Sequence, residues 1–219
     1  MTQDITTPVT RNEDLGGGNH LLEFEAPASM IDDMGSAQFF MIGVPDSDVL
    51  LRRPFSVCGL PGTFEDSGPE RVQVLYKVYG RGTALLASQK SGAKVTVLGP
   101  LGRGFTAPED PAAVPVIVAG GIGSAPFPLL IEELRRAGRP APVMFYGARS
   151  EADLPLHAWF AERCAAFHPA TEDGSLGATG FVTGPLETWR SRNRDVPQEW
   201  YVCGPDPMLH AVARVALDD

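Results

Sequence analysis

Apolar residues in the first half of the chain fall in short, partly alternating runs bounded by Gly and Pro. They occupy residues 20–25 (HLLEFE), 38–44 (QFFMIGV), 72–79 (VQVLYKVY) and 94–98 (KVTVL). Such runs predict β-strands, and their turn-rich spacing predicts a small antiparallel barrel or sandwich. Residues 83–89 (TALLASQ) form the one short helix expected in this half. The pattern then changes. Val116, Ile117 and Val118 have the composition of a strand buried on both faces. Gly120, Gly121 and Gly123 follow as a tight turn, and Pro126 and Pro128 suit the first turn of a helix. Leu129, Leu130, Ile131 and Leu134 give that helix its apolar stripe, and Arg135, Arg136 and Gly138 end it.

Beyond this element the chain alternates. Residues 143–146 predict a strand and 151–167 read mostly as helix, with Leu154, Trp159 and Phe160 inward. Residues 171–180 (TEDGSLGATG) form a polar loop, 186–192 a helix, 200–202 a strand and 207–217 a closing helix. This order implies a parallel sheet with helices on its faces. Composition shifts over residues 106–114 (TAPEDPAAV), the expected linker. The fold class is therefore β followed by α/β: an antiparallel β-barrel domain over residues 1–108 and a parallel-sheet domain over 109–219.

Charge and cysteine usage narrow the function. A net charge of −9 over 219 residues excludes a nucleic-acid partner, which wants a basic face. Residues 111–131 carry no formal charge and match the roughly 20 residues of a membrane span. Four prolines and three glycines within them argue against a spanning helix. No basic-plus-apolar leader is visible. Cys58, Cys164 and Cys203, odd in number and widely separated, fit a reducing cytoplasm.

Four stretches could carry chemistry. In residues 51–59 (LRRPFSVCG), paired arginines beside an aromatic ring and a serine suit an anionic, planar ligand; the alternative is an edge strand with a solvated basic pair. Gly80, Arg81, Gly82 and Thr83 could hold a phosphate at a helix start, or simply cap the helix. Residues 99–104 hold three glycines, so this loop either wraps a ligand or crosses between domains. Cys203, Gly204 and Pro205 repeat the strand-to-helix geometry of the central turn. In an open α/β sheet, the residues after Val118, Tyr146 and Val202 should converge on one crevice. The central turn departs from the dinucleotide fingerprint. Pro126 stands where the third glycine belongs, and Gly147 to Ser150 replace the expected acidic residue.

In register, these motifs resemble the ferredoxin–NAD(P)H reductase superfamily, over nearly the whole chain. Arg53-Pro54-Phe55-Ser56 is similar to its flavin motif and residues 80–83 to its flavin pyrophosphate loop. Residues 120–126 resemble its nicotinamide-nucleotide turn, and residues 203–208 its Cys-Gly-Pro segment. Within it, LRRPFS, GPLGRGF, TEDGSLGATGFVT and YVCGPDPML resemble the electron-transfer subunit of bacterial two-subunit dihydroorotate dehydrogenase. The resemblance implies FAD and NAD(H) as cofactors. It implies a partner redox subunit, the FMN-containing dihydroorotate dehydrogenase catalytic subunit, in pyrimidine biosynthesis.

It also implies residue roles. Arg53 would bind the flavin diphosphate, Phe55 contact the isoalloxazine and Ser56 hydrogen-bond near flavin N5, with Pro54 and Lys77 in the same set. Gly80, Gly82 and Thr83 would hold the phosphates. Gly120, Gly121 and Gly123 would admit NAD, with Arg149 beside it. Cys203, Gly204 and Pro205 would border the nicotinamide. Ser56 and Cys203 are then the residues nearest the chemistry. Hydride transfer needs position rather than an acid–base pair, so His157, His168 and His210 read as surface residues.

The family also implies a [2Fe-2S] cluster, which needs four thiolates. The three cysteines match no cluster spacing, so the chain as given is expected to hold no metal. Family members carry the ligands in an extension beyond the point where this chain stops, at Asp218-Asp219. Two other readings stand beside this one. The first is a stand-alone flavin reductase, or the reductase subunit of a sulfide dehydrogenase or hydrogenase. The second is a non-catalytic nucleotide-binding redox sensor.

Overall fold

Six strands close into a barrel: β1 (Gln3–Gly16), β2 (Asn19–Glu25), β3 (Phe39–Gly43), β4 (Arg53–Gly59), β5 (Arg71–Lys77) and β6 (Lys94–Leu101). Their order around the barrel is β1-β2-β5-β4-β3-β6, every neighbouring pair is antiparallel, and β6 returns to β1. The computed structural model describes residues 2–217 apart from 33, 66, 67, 69 and 107–109. The expected domain boundary at 108/109 and the terminal Asp218-Asp219 lie outside the described residues.

Leu22, Phe24, Phe40, Val57, Val72, Val74, Val95 and Val97 fill the barrel interior with no exposed surface. The short helices α1 (Ala28–Ile31) and α2 (Arg81–Ala87) lie in the connections. Strand β1 has no counterpart in the hydrophobic pattern. It is largely polar, buries only Thr7 and Val9, and carries Pro8. It pairs with β6 through residues 3–8 and with β2 through residues 9–16, with register shifts after Val9 and after Asp14. A strand that serves two neighbours in this way is specified by backbone bonds and a bulge rather than by an apolar face.

Five parallel strands form a second sheet: β7 (Val114–Gly120), β8 (Val143–Ala148), β9 (Ala166–Thr171), β10 (Ala178–Thr179) and β11 (Gln198–Cys203), in the order β10-β9-β8-β7-β11. Helices α3 (Phe127–Arg136), α4 (His157–Arg163), α5 (Thr183–Arg192) and α6 (Asp206–Leu217) accompany it. Val116, Val118 and Phe145 are completely buried in this sheet, as an all-parallel sheet requires. Contacts divide the chain into residues 1–105 with 125–130, and residues 106–124 with 131–219.

Two expectations are corrected. Residues 151–167 are not one helix: a 3-10 turn (Glu151–Asp153) precedes α4, and Ala166 and Phe167 already belong to β9. Ala166 pairs with Val143 and Phe167 with Met144, so sheet pairing claims an apolar run whose period alone does not separate strand from helix. His168 is likewise not a surface residue. It lies in β9, its ring is stacked on Phe145 at 4.8 Å, and burial lowers its pKa.

Asn12 on β1 ties the barrel to α2. Its Nδ2 donates to Leu86 O at 2.9 Å and Gln89 O at 3.0 Å, and its Oδ1 accepts from the Tyr76 hydroxyl at 3.0 Å. Tyr76 is buried, which raises its pKa to about 12. Asn12→Ala strands that hydroxyl and uncaps the end of α2. The expected cost is about 2–4 kcal/mol in urea unfolding, from a buried donor left unpaired and two carbonyls that lose their Asn12 donor. A loss below about 0.5 kcal/mol, the range of ordinary surface substitutions, would show that the tether carries no stability.

Candidate functional site

The barrel unit brings Arg53 to the start of α2. Arg53 Nη1 donates to Leu51 O at 2.8 Å, folding the guanidinium back along its own strand. A Cβ added at Gly82 would lie 3.7 Å from Arg53 Nε and Nη2, and 3.3 Å from Val49. The guanidinium therefore lies beside the first turn of α2, at ordinary contact distance from position 82, and Val49 is the neighbour a Cβ there would crowd. Backbone N–H groups of a first turn have no acceptor inside the helix. A phosphate there would meet both the N–H groups and Arg53. A Cβ at Gly80 would meet nothing within 4 Å, so this side of the turn is open.

The remaining barrel candidates divide. Thr83 Oγ1 accepts from the N–H groups of Tyr79 (3.0 Å) and Gly80 (3.2 Å) and donates to Gly80 O (3.0 Å). Its hydroxyl therefore shapes the turn. Along β4, alternate side chains take opposite faces. Phe55 and Val57 are buried, and Phe55 meets Tyr76 edge-on at 5.4 Å. Pro54 and Ser56 occupy the other face, Pro54 exposed and Ser56 half-buried. The ring expected to stack on a ligand is therefore part of the barrel core. Lys77 is half-buried at the end of β5. The glycines of residues 99–104 close on the barrel itself: a Cβ at Gly99 would come 2.4 Å from the Phe40 ring, and one at Gly102 3.0 Å from Phe39.

In the second unit the expected convergence is present. Ala119 of β7 pairs with both Tyr146 of β8 and Cys203 of β11, so the three carboxyl ends lie side by side. Gly121–Ser124 form one 3-10 turn, with Gly121 at φ +52°. A Cβ at Gly123 would lie 2.5 Å from Cys203 O and 2.9 Å from Gly204 Cα. One at Gly120 would meet Pro205 at 2.7 Å and Met208 Sδ at 2.9 Å. One at Gly204 would meet Gly120 N at 3.0 Å and Met208 Cε at 2.5 Å. The two turns mesh backbone against backbone, and only glycine permits it.

Tyr146 holds this assembly together and was not anticipated as part of it. Its hydroxyl lies 2.7 Å from Ser124 Oγ, 3.0 Å from Gly121 O and 3.2 Å from Pro155 O. The available signal was a phenol at the end of an otherwise apolar strand. A second unanticipated link joins residues 171–180 to the end of β8. Ser175 Oγ accepts from Glu151 N at 2.8 Å and donates to Asp173 Oδ1 at 2.6 Å. The Ser175 hydroxyl and N–H hold the Asp173 carboxyl below its ordinary pKa. Arg149 is largely exposed, with Nε 3.7 Å from Asp153 Oδ2.

None of the three thiols is activated. Burial raises the pKa of Cys203, lifts Cys164 to about 12, and raises the fully buried Cys58 further. Among the described residues no group of three His, Cys, Asp or Glu side chains is placed to hold a metal. Nor, among them, is any helix long and apolar enough to cross a membrane.

No protein-family model matches the chain. Curated relatives do. The chain is 41% identical over 183 residues to the dihydroorotate dehydrogenase B (NAD(+)) electron transfer subunit of Geobacillus kaustophilus, covering 80% of this chain and 65% of that one. The subunit of the same name from Listeria monocytogenes is 36% identical over 183 residues, 83% of this chain and 68% of that one. The Lysinibacillus sphaericus subunit is 34% identical over 197 residues, covering 88% and 72%. The chain thus spans just under two thirds of the Geobacillus relative. Among solved structures, an NADH-dependent reduced ferredoxin-NADP oxidoreductase superposes with a TM-score of 0.79 at 22% identity, covering 96% of this chain and 71% of that one. A Neisseria gonorrhoeae ferredoxin NADP+ reductase with bound FAD and NADP gives 0.79 at 17%, covering 98% and 91%. At these identities the structural likeness establishes the fold.

Gly123→Ala places a methyl group against the Cys203 carbonyl, where neither backbone can retreat without parting β7 from β11. The expected outcome is a loss of about 1–3 kcal/mol in stability, the cost of overpacking a close contact. Nicotinamide-nucleotide binding, followed by calorimetry, should weaken with it. Wild-type stability and binding would show that the mesh is loose.

Proposed function

The chain belongs to the family of dihydroorotate dehydrogenase B electron transfer subunits, and from that premise we propose that it moves electrons between NAD(H) and a partner redox protein through FAD. The observation that carries the reading is the Arg53 guanidinium set beside Gly82 at the first turn of α2. In this reading residues 1–108 bind the flavin and 109–219 the nicotinamide nucleotide.

Arg53 and the α2 turn would hold the flavin diphosphate by charge-assisted bonds and backbone N–H groups. Pro54 and Ser56, on the outward face of β4, would lie along the ring, with the Ser56 hydroxyl near N5. Phe55 supports that strand from within the barrel. Gly120, Gly121 and Gly123 would admit the nucleotide diphosphate, while Cys203, Gly204 and Pro205 would border the nicotinamide. A bound flavin supplies the chemistry that side chains lack, exchanging a hydride on one side for single electrons on the other. The protein contributes position, which for hydride transfer means reacting atoms about 3–3.5 Å apart. A Cys203 thiol kept protonated by burial puts neither charge nor nucleophile beside the ring. Arg149 could meet a 2′-phosphate, but Asp153, whose Oδ2 lies 3.7 Å from Arg149 Nε, and the neighbouring Glu151 would repel one, which supports NAD over NADP.

A [2Fe-2S] cluster does not fit these residues. It requires four thiolates, and the three here are free and widely separated: Cys58 buried in β4, Cys164 half-buried after α4 and Cys203 half-buried at the end of β11. The partner would be the FMN-bearing catalytic subunit of the same assembly.

Three measurements test the proposal. Flavin released from the purified protein should run as FAD on chromatography; FMN would contradict the assignment. Arg53→Ala should weaken flavin retention by about 1.5–3 kcal/mol, the worth of a charge-assisted bond, and full occupancy after dialysis would remove Arg53 from the site. Iron and acid-labile sulfide on this 219-residue chain should be far below one cluster per chain. A stoichiometric cluster would overturn that part of the account.

A further inference from the structure

A groove of about 410 Å³ runs between α5 and α6. Arg190 and Ser191 line it from α5, Arg194 follows from the next loop, and Arg214 and Val215 line it from α6. Glu187 is the one carboxylate in the lining. Three guanidinium groups facing one carboxylate is unusual in a chain of net charge −9.

Arg190 is the telling residue. Its Nε and Nη1 are both shielded from solvent, and neither has a hydrogen-bond partner. Buried donors left in this way are rare and costly, most of all when charged. Glu187, one helical turn earlier, forms no ion pair with it among the described residues. Nor is Arg190 needed to finish the helix. Asn193 donates its side-chain amide to Trp189 O at 2.8 Å and its backbone N–H to Arg190 O at 3.1 Å. Arg214 uses only a long Nε bond, 3.4 Å to His210 O. Arg190 thus carries unsatisfied donors on α5, and the exposed Arg214 faces it from α6, beside Val215.

We propose that this groove binds a phosphorylated small molecule, its phosphate held by Arg190, Arg194 and Arg214. Phosphate is the anion that matches the planar fork with paired oxygens and enough charge to meet more than one guanidinium. The volume lies within the usual range for small-molecule sites and exceeds a bare phosphate, leaving room for an organic body against Val215. The site is independent of the electron-transfer reading.

The test uses inorganic pyrophosphate on the purified chain in excess NAD+, so that any nicotinamide-nucleotide site is already filled. The readout is the NMR resonance of the Arg190 Nε–H, which reports this groove alone. Saturable movement of that resonance is expected. In calorimetric titrations, Arg190→Met and the pair Arg194→Ala/Arg214→Ala should each weaken pyrophosphate binding about tenfold or more, and Arg190→Lys should weaken it as well because the fork is lost. Ligand-free Arg190→Met should melt no lower than wild type, since it removes unpaired buried donors, but should lose the stabilisation that pyrophosphate gives the wild type. An Arg190 resonance that does not move, or unchanged affinity in Arg190→Met, would overturn the site. Citrate binding as tightly as pyrophosphate would overturn the phosphate assignment. Tighter binding of polyglutamate would overturn it in favour of an acidic protein surface.

Discussion

The second unit depends on one close approach: the turn after β7 touches the turn after β11 with no side chain between them. Gly120, Gly123 and Gly204 make that possible, and any Cβ at these positions would come within about 3 Å of opposing atoms. Parallel pairing of β7 with β8 and β11 brings the strand ends to the same level. The Tyr146 hydroxyl then fixes the height of the turn through Ser124 and Gly121. What results is half-buried backbone at the carboxyl edge of a parallel sheet, where α/β folds place ligands. The close approach is therefore the packing constraint on this edge of the sheet.

The barrel solves a related problem with fewer glycines. The Arg53 guanidinium lies beside Gly82 in the first turn of α2, and Thr83 closes that turn with three hydrogen bonds. The far end of α2 is held by Asn12, whose amide links two helix carbonyls to the buried Tyr76 hydroxyl. A short helix is marginal by itself. Anchoring at both ends makes α2 a fixed platform beside Arg53.

Much of this was legible in the sequence where chemistry and packing agree. The glycine turns, the Cys203–Gly204–Pro205 segment, the arginine at 53 and the two fold classes follow from residue types with narrow conformational or chemical uses. Legibility failed where backbone or neighbours decide. Strand β1 is polar because half of it faces solvent and its ladder serves two partners. Ala166 and Phe167 read as helix because an apolar pair has no period of its own. Composition also does not reveal which face of β4 points inward, where Phe55 is buried and Pro54 exposed. The glycines of residues 99–104, open to a ligand reading, answer to Phe39 and Phe40. Tyr146 and Ser175 act through hydrogen bonds between distant segments, which no local pattern encodes.

The central claim is that hydride passes directly from NADH to a flavin held by this chain, with the protein supplying geometry rather than acid–base groups. Anaerobic single-turnover reduction with NADH and with NADH deuterated at the transferred position tests it most directly. The account predicts that flavin absorbance bleaches fully without any partner protein, more slowly with the deuterated nucleotide. Flavin that stays oxidised, or a reduction rate indifferent to deuterium across a range of NADH concentrations, would contradict it.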